Sequence, residues 1–211
     1  MEVVSTSYQN KGKLKLVLGL TLTYLAAEVI GGILTKSLAL LADAGHMLTD
    51  VGGLALALFA INITQRSVTE KRTYGYYRAE ILAALANAVV LIFISLYILY
   101  EAWQRFKSPP EVSSRDMLIV AAIGLAVNIT GMLILRKGSK ESLNMKGAYF
   151  EVLSDMLTSI GVIAAAIIMM TTGWYYADPI ISAGIGLFIL PRTWVLLKDA
   201  VGVLLEGTPS N

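Results

Sequence analysis

Six apolar stretches, at 14–34, 38–63, 79–103, 116–135, 147–171 and 180–205, constrain this chain more than any other feature. A helix needs about 20 mostly apolar residues to cross a bilayer, and irregular backbone facing lipid leaves peptide groups without partners. The breaks between stretches are short and polar: Thr35-Lys36-Ser37, Thr64 to Arg78, Lys107-Ser108-Pro109-Pro110 to Asp116, Arg136 to Lys146, and Gly173 to Pro179. Pro109-Pro110 and Gly173 are conventional chain breakers. Charged residues make up 15% of the chain, against about a quarter in soluble domains. The expected fold is an all-α membrane protein, one domain of six transmembrane helices over residues 1–211.

The cations orient it. With the N-terminus inside, the inner segments hold Lys11, Lys13, Lys15, Arg66, Lys71, Arg72, Arg78, Arg136, Lys137, Lys140, Lys146, Arg192 and Lys198. The outer loops hold Lys36, Arg105, Lys107 and Arg115. Lys and Arg collect on the cytoplasmic side, so both termini are expected there. The net charge of +2 is too small to suggest nucleic acid as a partner. There is no cysteine, which excludes disulfides and thiolate metal sites.

Ionisable residues within the spans stand out against this background. The first span carries Glu28, the second Asp43, His46 and Asp50, and the fifth Glu151 and Asp155. A carboxylate inside a bilayer is costly unless paired or hydrated. No Lys or Arg lies in the middle of spans one, two or five, so a salt bridge lacks its cation and a bound metal ion is the natural substitute. His46 and Asp50 are four apart and share a helix face. Glu151 and Asp155 repeat that spacing. If the two faces meet, one imidazole and three carboxylates form a tetrahedral set suited to zinc. The same residues also fit a bundle of interhelical hydrogen bonds or a proton relay without metal.

Other polar positions leave two readings open. Asp43 either draws cations from the outer mouth or caps its helix. Glu28, Asn87 and Asn128 either line a cavity or hold helices together. Tyr74-Gly75-Tyr76-Tyr77-Arg78 reads as an interfacial belt, and Met169-Met170 as packing.

The run from Ser37 through Ala42-Asp43-Ala44-Gly45-His46-Met47-Leu48-Thr49-Asp50 resembles the second-helix signature of the cation diffusion facilitators, in particular the bacterial cobalt–zinc–cadmium efflux type. Tyr74 to Ala84, Ala177-Asp178-Pro179 and Leu205-Glu206-Gly207-Thr208-Pro209 extend the likeness in the same order along the chain. The resemblance implies a transporter, not an enzyme: a homodimer in the bacterial inner membrane that moves divalent metal out of the cytoplasm in exchange for protons. Zinc is the first expected substrate, with cobalt, cadmium, manganese or ferrous iron behind it. His46, Asp50 and Asp155 fall on metal-ligand positions, and Glu151 stands where the family motif implies a histidine. The cytoplasmic metal-binding domain that the family carries after Gly-Thr-Pro is expected to be absent from this chain, as is a His-rich loop between helices four and five.

Glu151 changes the charge count. One imidazole and three carboxylates around a dication leave a net −1, so one carboxylate is expected to keep a proton or recruit a counter-ion. The extra oxygen is also expected to favour oxygen-preferring ions such as manganese relative to a two-histidine site. Metal and protons compete for the same ligand atoms, which gives antiport without nucleotide, and no Gly-x-x-x-x-Gly-Lys is present. An intramembrane metalloprotease is disfavoured by the lack of His-Glu-x-x-His. A channel would need a continuous polar stripe, whereas these residues cluster near mid-depth, as in a transporter.

Overall fold

A computed structural model describes residues 2–64, 75–140 and 143–204, with side chains given for 12–52, 82, 85–139 and 145–204. Arg66, Lys71, Arg72, Tyr74 and the Leu205 to Pro209 motif lie outside the described residues. Six α-helices follow one another: α1 (Glu2–Thr35), α2 (Leu38–Thr64), α3 (Gly75–Lys107), α4 (Ser114–Leu135), α5 (Leu143–Thr172) and α6 (Ala177–Leu204). Among the described residues, five helices are long and apolar enough to cross a membrane, all but α2. The 27 residues of α2 still extend about 40 Å at 1.5 Å per residue, and its side chains are described only as far as Gly52.

The bundle is inverted relative to a soluble fold. Leu34, Phe93 and Trp194 point outward, while Glu28, Asp43, His46, Asp50 and Asp155 are each at most 5% exposed. Water-soluble proteins sort these residue types the other way. The apolar exterior suits hydrocarbon, and the polar groups have only one another and the helix interior to face.

One end of the bundle is cross-tied. The amide of Ser113, ahead of α4, donates to Thr35 O at the end of α1 (3.1 Å). Asp178, in the first turn of α6 and 0% exposed, reaches the start of α2. Its carboxylate accepts from Ser37 Oγ (2.7 Å), Leu38 N (2.9 Å) and Ala39 N (3.1 Å). The first amides of a helix have no partner within it, and an anion there also complements the helix dipole. Arg105, near the end of α3, donates to Asp178 (3.3 Å) and to Lys36 O (2.6 Å). Lys36 is left-handed, φ 60°, a conformation that costs an L-residue roughly 1–2 kcal/mol, and the Arg105 bond helps hold it. The ends of α1 and α3 and the starts of α2, α4 and α6 therefore lie together, so chain neighbours run antiparallel.

At the same end α5 stops at Gly173, φ 68°, whose amide donates to Met169 O (2.9 Å). This glycine occupies the left-handed C-terminal position that a Cβ disfavours. Inside the bundle α3 packs mainly on α6, α4 on α5, and α1 on both α2 and α4, while α2 also meets α3, α5 and α6. The α1–α4 crossing is close. A Cβ on Gly31 would press on Val120, and one on Gly124 would collide with the phenol of Tyr24.

Two substitutions test these features. Asp178→Ala strips the carboxylate from Arg105 and from the α2 amides, and is expected to destabilise by about 3–5 kcal/mol, read as a lower melting temperature in detergent. Gly124→Ala is expected to cost about 1–3 kcal/mol through overpacking. Gly184→Ala, where a Cβ meets nothing within 4 Å, is the neutral control.

Candidate metal centre

The donors are set by helix geometry. His46 and Asp50 sit one turn apart on α2, and Asp155 faces them from α5. His46 Nε2 lies 3.7 Å from Asp50 Oδ2 and 3.8 Å from Asp155 Oδ1. One donor atom from each residue falls within 4.8 Å of the other two. These separations are too long for hydrogen bonds. Two ligands of one tetrahedral ion, each about 2.05 Å from it, stand about 3.3 Å apart, so each of the two imidazole–carboxylate separations is about half an ångström longer than a shared ion requires.

The same three atoms, His46 Nε2, Asp50 Oδ2 and Asp155 Oδ1, are buried and have no hydrogen-bond partner. A buried polar atom without a partner costs about 1–3 kcal/mol, and more when charged. Here the unsatisfied atoms point at one another, and no Lys or Arg forms an ion pair with any of the three among the described residues. A cation at their centre would satisfy all of them at once. With a neutral imidazole and two carboxylates, a dication leaves no net charge.

Glu151 is placed differently from the trio. Its Oε1 accepts from Arg192 Nη2 of α6 at 2.7 Å, and both side chains are partly exposed. The expectation that no cation serves the fifth-helix acids is corrected at this position. Spans one, two and five do lack a central cation, but the sixth helix supplies one. Arg192 is thus a counter-ion for Glu151 itself. The pair borders a cavity of about 220 Å³ whose walls include His46 and Asp50 of α2, Asn87 of α3, and Thr193 of α6.

On the other side of the trio, polar contacts continue toward α1. Thr158 Oγ1 lies 2.9 Å from Asp155 O and donates to Asp43 Oδ1 at 2.6 Å. Asp43 is within hydrogen-bonding reach of Glu28, and Glu28 Oε1 accepts from Tyr24 OH (2.9 Å). Glu28 Oε2 and Asp43 Oδ2 have no partner. Asp43 is thus an interior residue and not the cap of α2, a role taken by Ser37 and Asp178. Asn128 holds helices together through Ser159 (3.2 Å). Asn87 does both things open to it, bonding Thr49 O (3.3 Å) and lining the cavity.

Arg192 and Thr158 carry parts of this network that the sequence reading did not assign. Arg192 had been counted with the inner flanking cations. Its position 14 residues into α6 from Asp178, about 21 Å along the axis, was the available sign that it sits deeper.

The chain matches the model of the cation efflux transmembrane domain over residues 14–205. It is 55% identical over 202 residues to the metal cation efflux system protein CzcD of Cupriavidus metallidurans, covering 96% of this chain and 64% of that protein. Identity is 50% over 190 residues to a cadmium, cobalt and zinc/H(+)-K(+) antiporter of Bacillus velezensis, 89% of this chain and 61% of the relative. It is 45% over 201 residues to the zinc transporter ZitB of Escherichia coli, 95% and 64% respectively. The chain therefore spans a little under two thirds of the length of these relatives. On the match over 14–205, this chain belongs to the cation efflux family and carries its transmembrane domain.

Proposed function

We propose that this chain exports divalent transition-metal ions from the cytoplasm, zinc first, in exchange for protons. All six helices cross the bacterial inner membrane, with both termini on the cytoplasmic side, and the chain works as a homodimer. The observation that carries this reading is the convergence of three buried, unpartnered donors, His46 Nε2, Asp50 Oδ2 and Asp155 Oδ1, from two helices. The names of the relatives, which specify zinc, cobalt and cadmium, point to the same cargo class. With Arg192 set aside as an interior residue, the orientation rests on twelve inner flanking cations against four.

The chemistry follows from the donor set. Metal binds the deprotonated ligands, so each proton gained by the trio weakens the grip on the ion. A site open to a near-neutral cytoplasm takes up metal; open to a more acidic exterior, it takes protons and lets the metal go. The small residues at helix crossings permit close packing and relative tilting of helices. Glu151, beside the trio, adds an oxygen donor for ions that prefer oxygen.

The test uses the chain reconstituted in liposomes, with zinc uptake driven by an imposed pH gradient. Asp155→Asn is expected to lower zinc affinity about a hundredfold or more, since even outer-shell changes cost 10–100-fold, and to abolish uptake. Flux of zinc in the natural chain that ignores the proton gradient would favour a channel and overturn the antiport reading. Zinc affinity is also expected to fall as pH is lowered, because protons compete for the three ligands. A flat profile between pH 5 and about 7.5 in equilibrium binding would count against the trio as ligands.

A further inference from the structure

We infer that Arg192 is a tethered counter-cation that competes with the incoming metal for Glu151. The guanidinium holds Glu151 beside the trio; when a dication arrives, Glu151 passes from Arg192 to the metal, and the return of Arg192 helps to expel it. This rests on the metal-centre reading above and adds a residue from α6 to it.

Four features support the assignment. The Arg192 Nη2 to Glu151 Oε1 distance of 2.7 Å is a charge-assisted bond in its short range. Glu151 lies one turn from Asp155 on α5, so its carboxylate needs only a side-chain change to approach the trio. The guanidinium, 42% exposed, shares the walls of the cavity with His46 and Asp50. A guanidinium is too costly to leave facing hydrocarbon, and an ion pair between partly exposed side chains contributes little. The pair is weak enough to exchange. Finally, Pro191 immediately precedes Arg192 inside α6 and removes one helical hydrogen bond, which loosens the backbone where the guanidinium must shift.

Arginine stays charged at every working pH, so the guanidinium is a constant competitor for Glu151. The competition also has a sign. With Arg192 neutralised, Glu151 is free to ligate, so metal binds tighter and leaves more slowly. With Glu151 neutralised, an unmatched guanidinium sits next to the trio and metal binds more weakly.

The experiment measures zinc affinity by equilibrium binding and zinc flux in proteoliposomes, for Arg192→Gln, Glu151→Gln, the double variant, Arg192→Lys and Asp155→Asn. Arg192→Gln is expected to raise affinity about tenfold and to lower both KM and kcat. Glu151→Gln is expected to lower affinity by a similar factor. The double variant should return to within about threefold of the natural chain, and Arg192→Lys should retain most of its behaviour. Changes under threefold in both single variants, or a double variant that differs from the natural chain by much more than threefold, would overturn the assignment. If Arg192→Gln does not fold in detergent, the charge-neutral double variant and Arg192→Lys, compared with Glu151→Gln, carry the same test. Asp155→Asn separates the two readings. Intact zinc binding in that variant sinks the metal centre itself, whereas its loss together with an indifferent Arg192 sinks only the tethered counter-cation.

Discussion

Ionisable groups held away from water must find a partner inside the protein, and that constraint organises this bundle. Its exterior is apolar, so the carboxylates of α1, α2 and α5 cannot turn outward, and helix geometry gives them few inward directions. Two solutions coexist. Glu151 is neutralised by a guanidinium from α6, and Asp178 by helix amides and Arg105. His46, Asp50 and Asp155 have neither, and their unsatisfied atoms share a common centre. Glu28 and Asp43 also keep an oxygen without a partner, but only the trio, among the described residues, brings an imidazole and two carboxylates within 4.8 Å of one another.

The two kinds of acid also differ in what they permit. A carboxylate capping a helix and pinned by several donors at 2.7–3.3 Å is a fixed point. A carboxylate with an orphan oxygen is free to change partner at small cost, which suits a binding site that must fill and empty. Pinned and sparsely partnered acids thus sit in the same small bundle, close in chemistry and distinct in surroundings.

Much of this was legible along the chain. Apolar runs separated by short polar breaks gave the helices, and Gly173 ends α5 as its freedom at positive φ requires. The four-residue spacings of His46 with Asp50 and of Glu151 with Asp155 placed each pair on one face, since that periodicity is local. What depended on helix rotation and crossing could not be read locally. Asp178 contacts Ser37 across 141 positions, and Arg192 meets Glu151 across 41. A count of cations by loop treats Arg192 as a flank because it has no information about which side of α6 turns toward α5. The fourth acid, Glu151, pairs with Arg192 of α6, a helix that the spacing argument did not involve.

Among the described residues, the ties among Thr35, Lys36, Ser37, Arg105, Ser113 and Asp178 gather at one end of the molecule, where they offer α2 a pivot. A rod fastened at one extremity swings more the farther one looks from the fastening. Along α2, at 1.5 Å per residue, Asp50 lies about 18 Å from Leu38 and Thr64 about 39 Å. A tilt of roughly 10° about that anchored end displaces Asp50 by about 3 Å and the far tip by about 7 Å. The first figure is comparable to the separation between donors, and the second exceeds the diameter of a water molecule. A small rotation of α2 about this end would therefore change the spacing of His46 and Asp50 from Asp155 on α5.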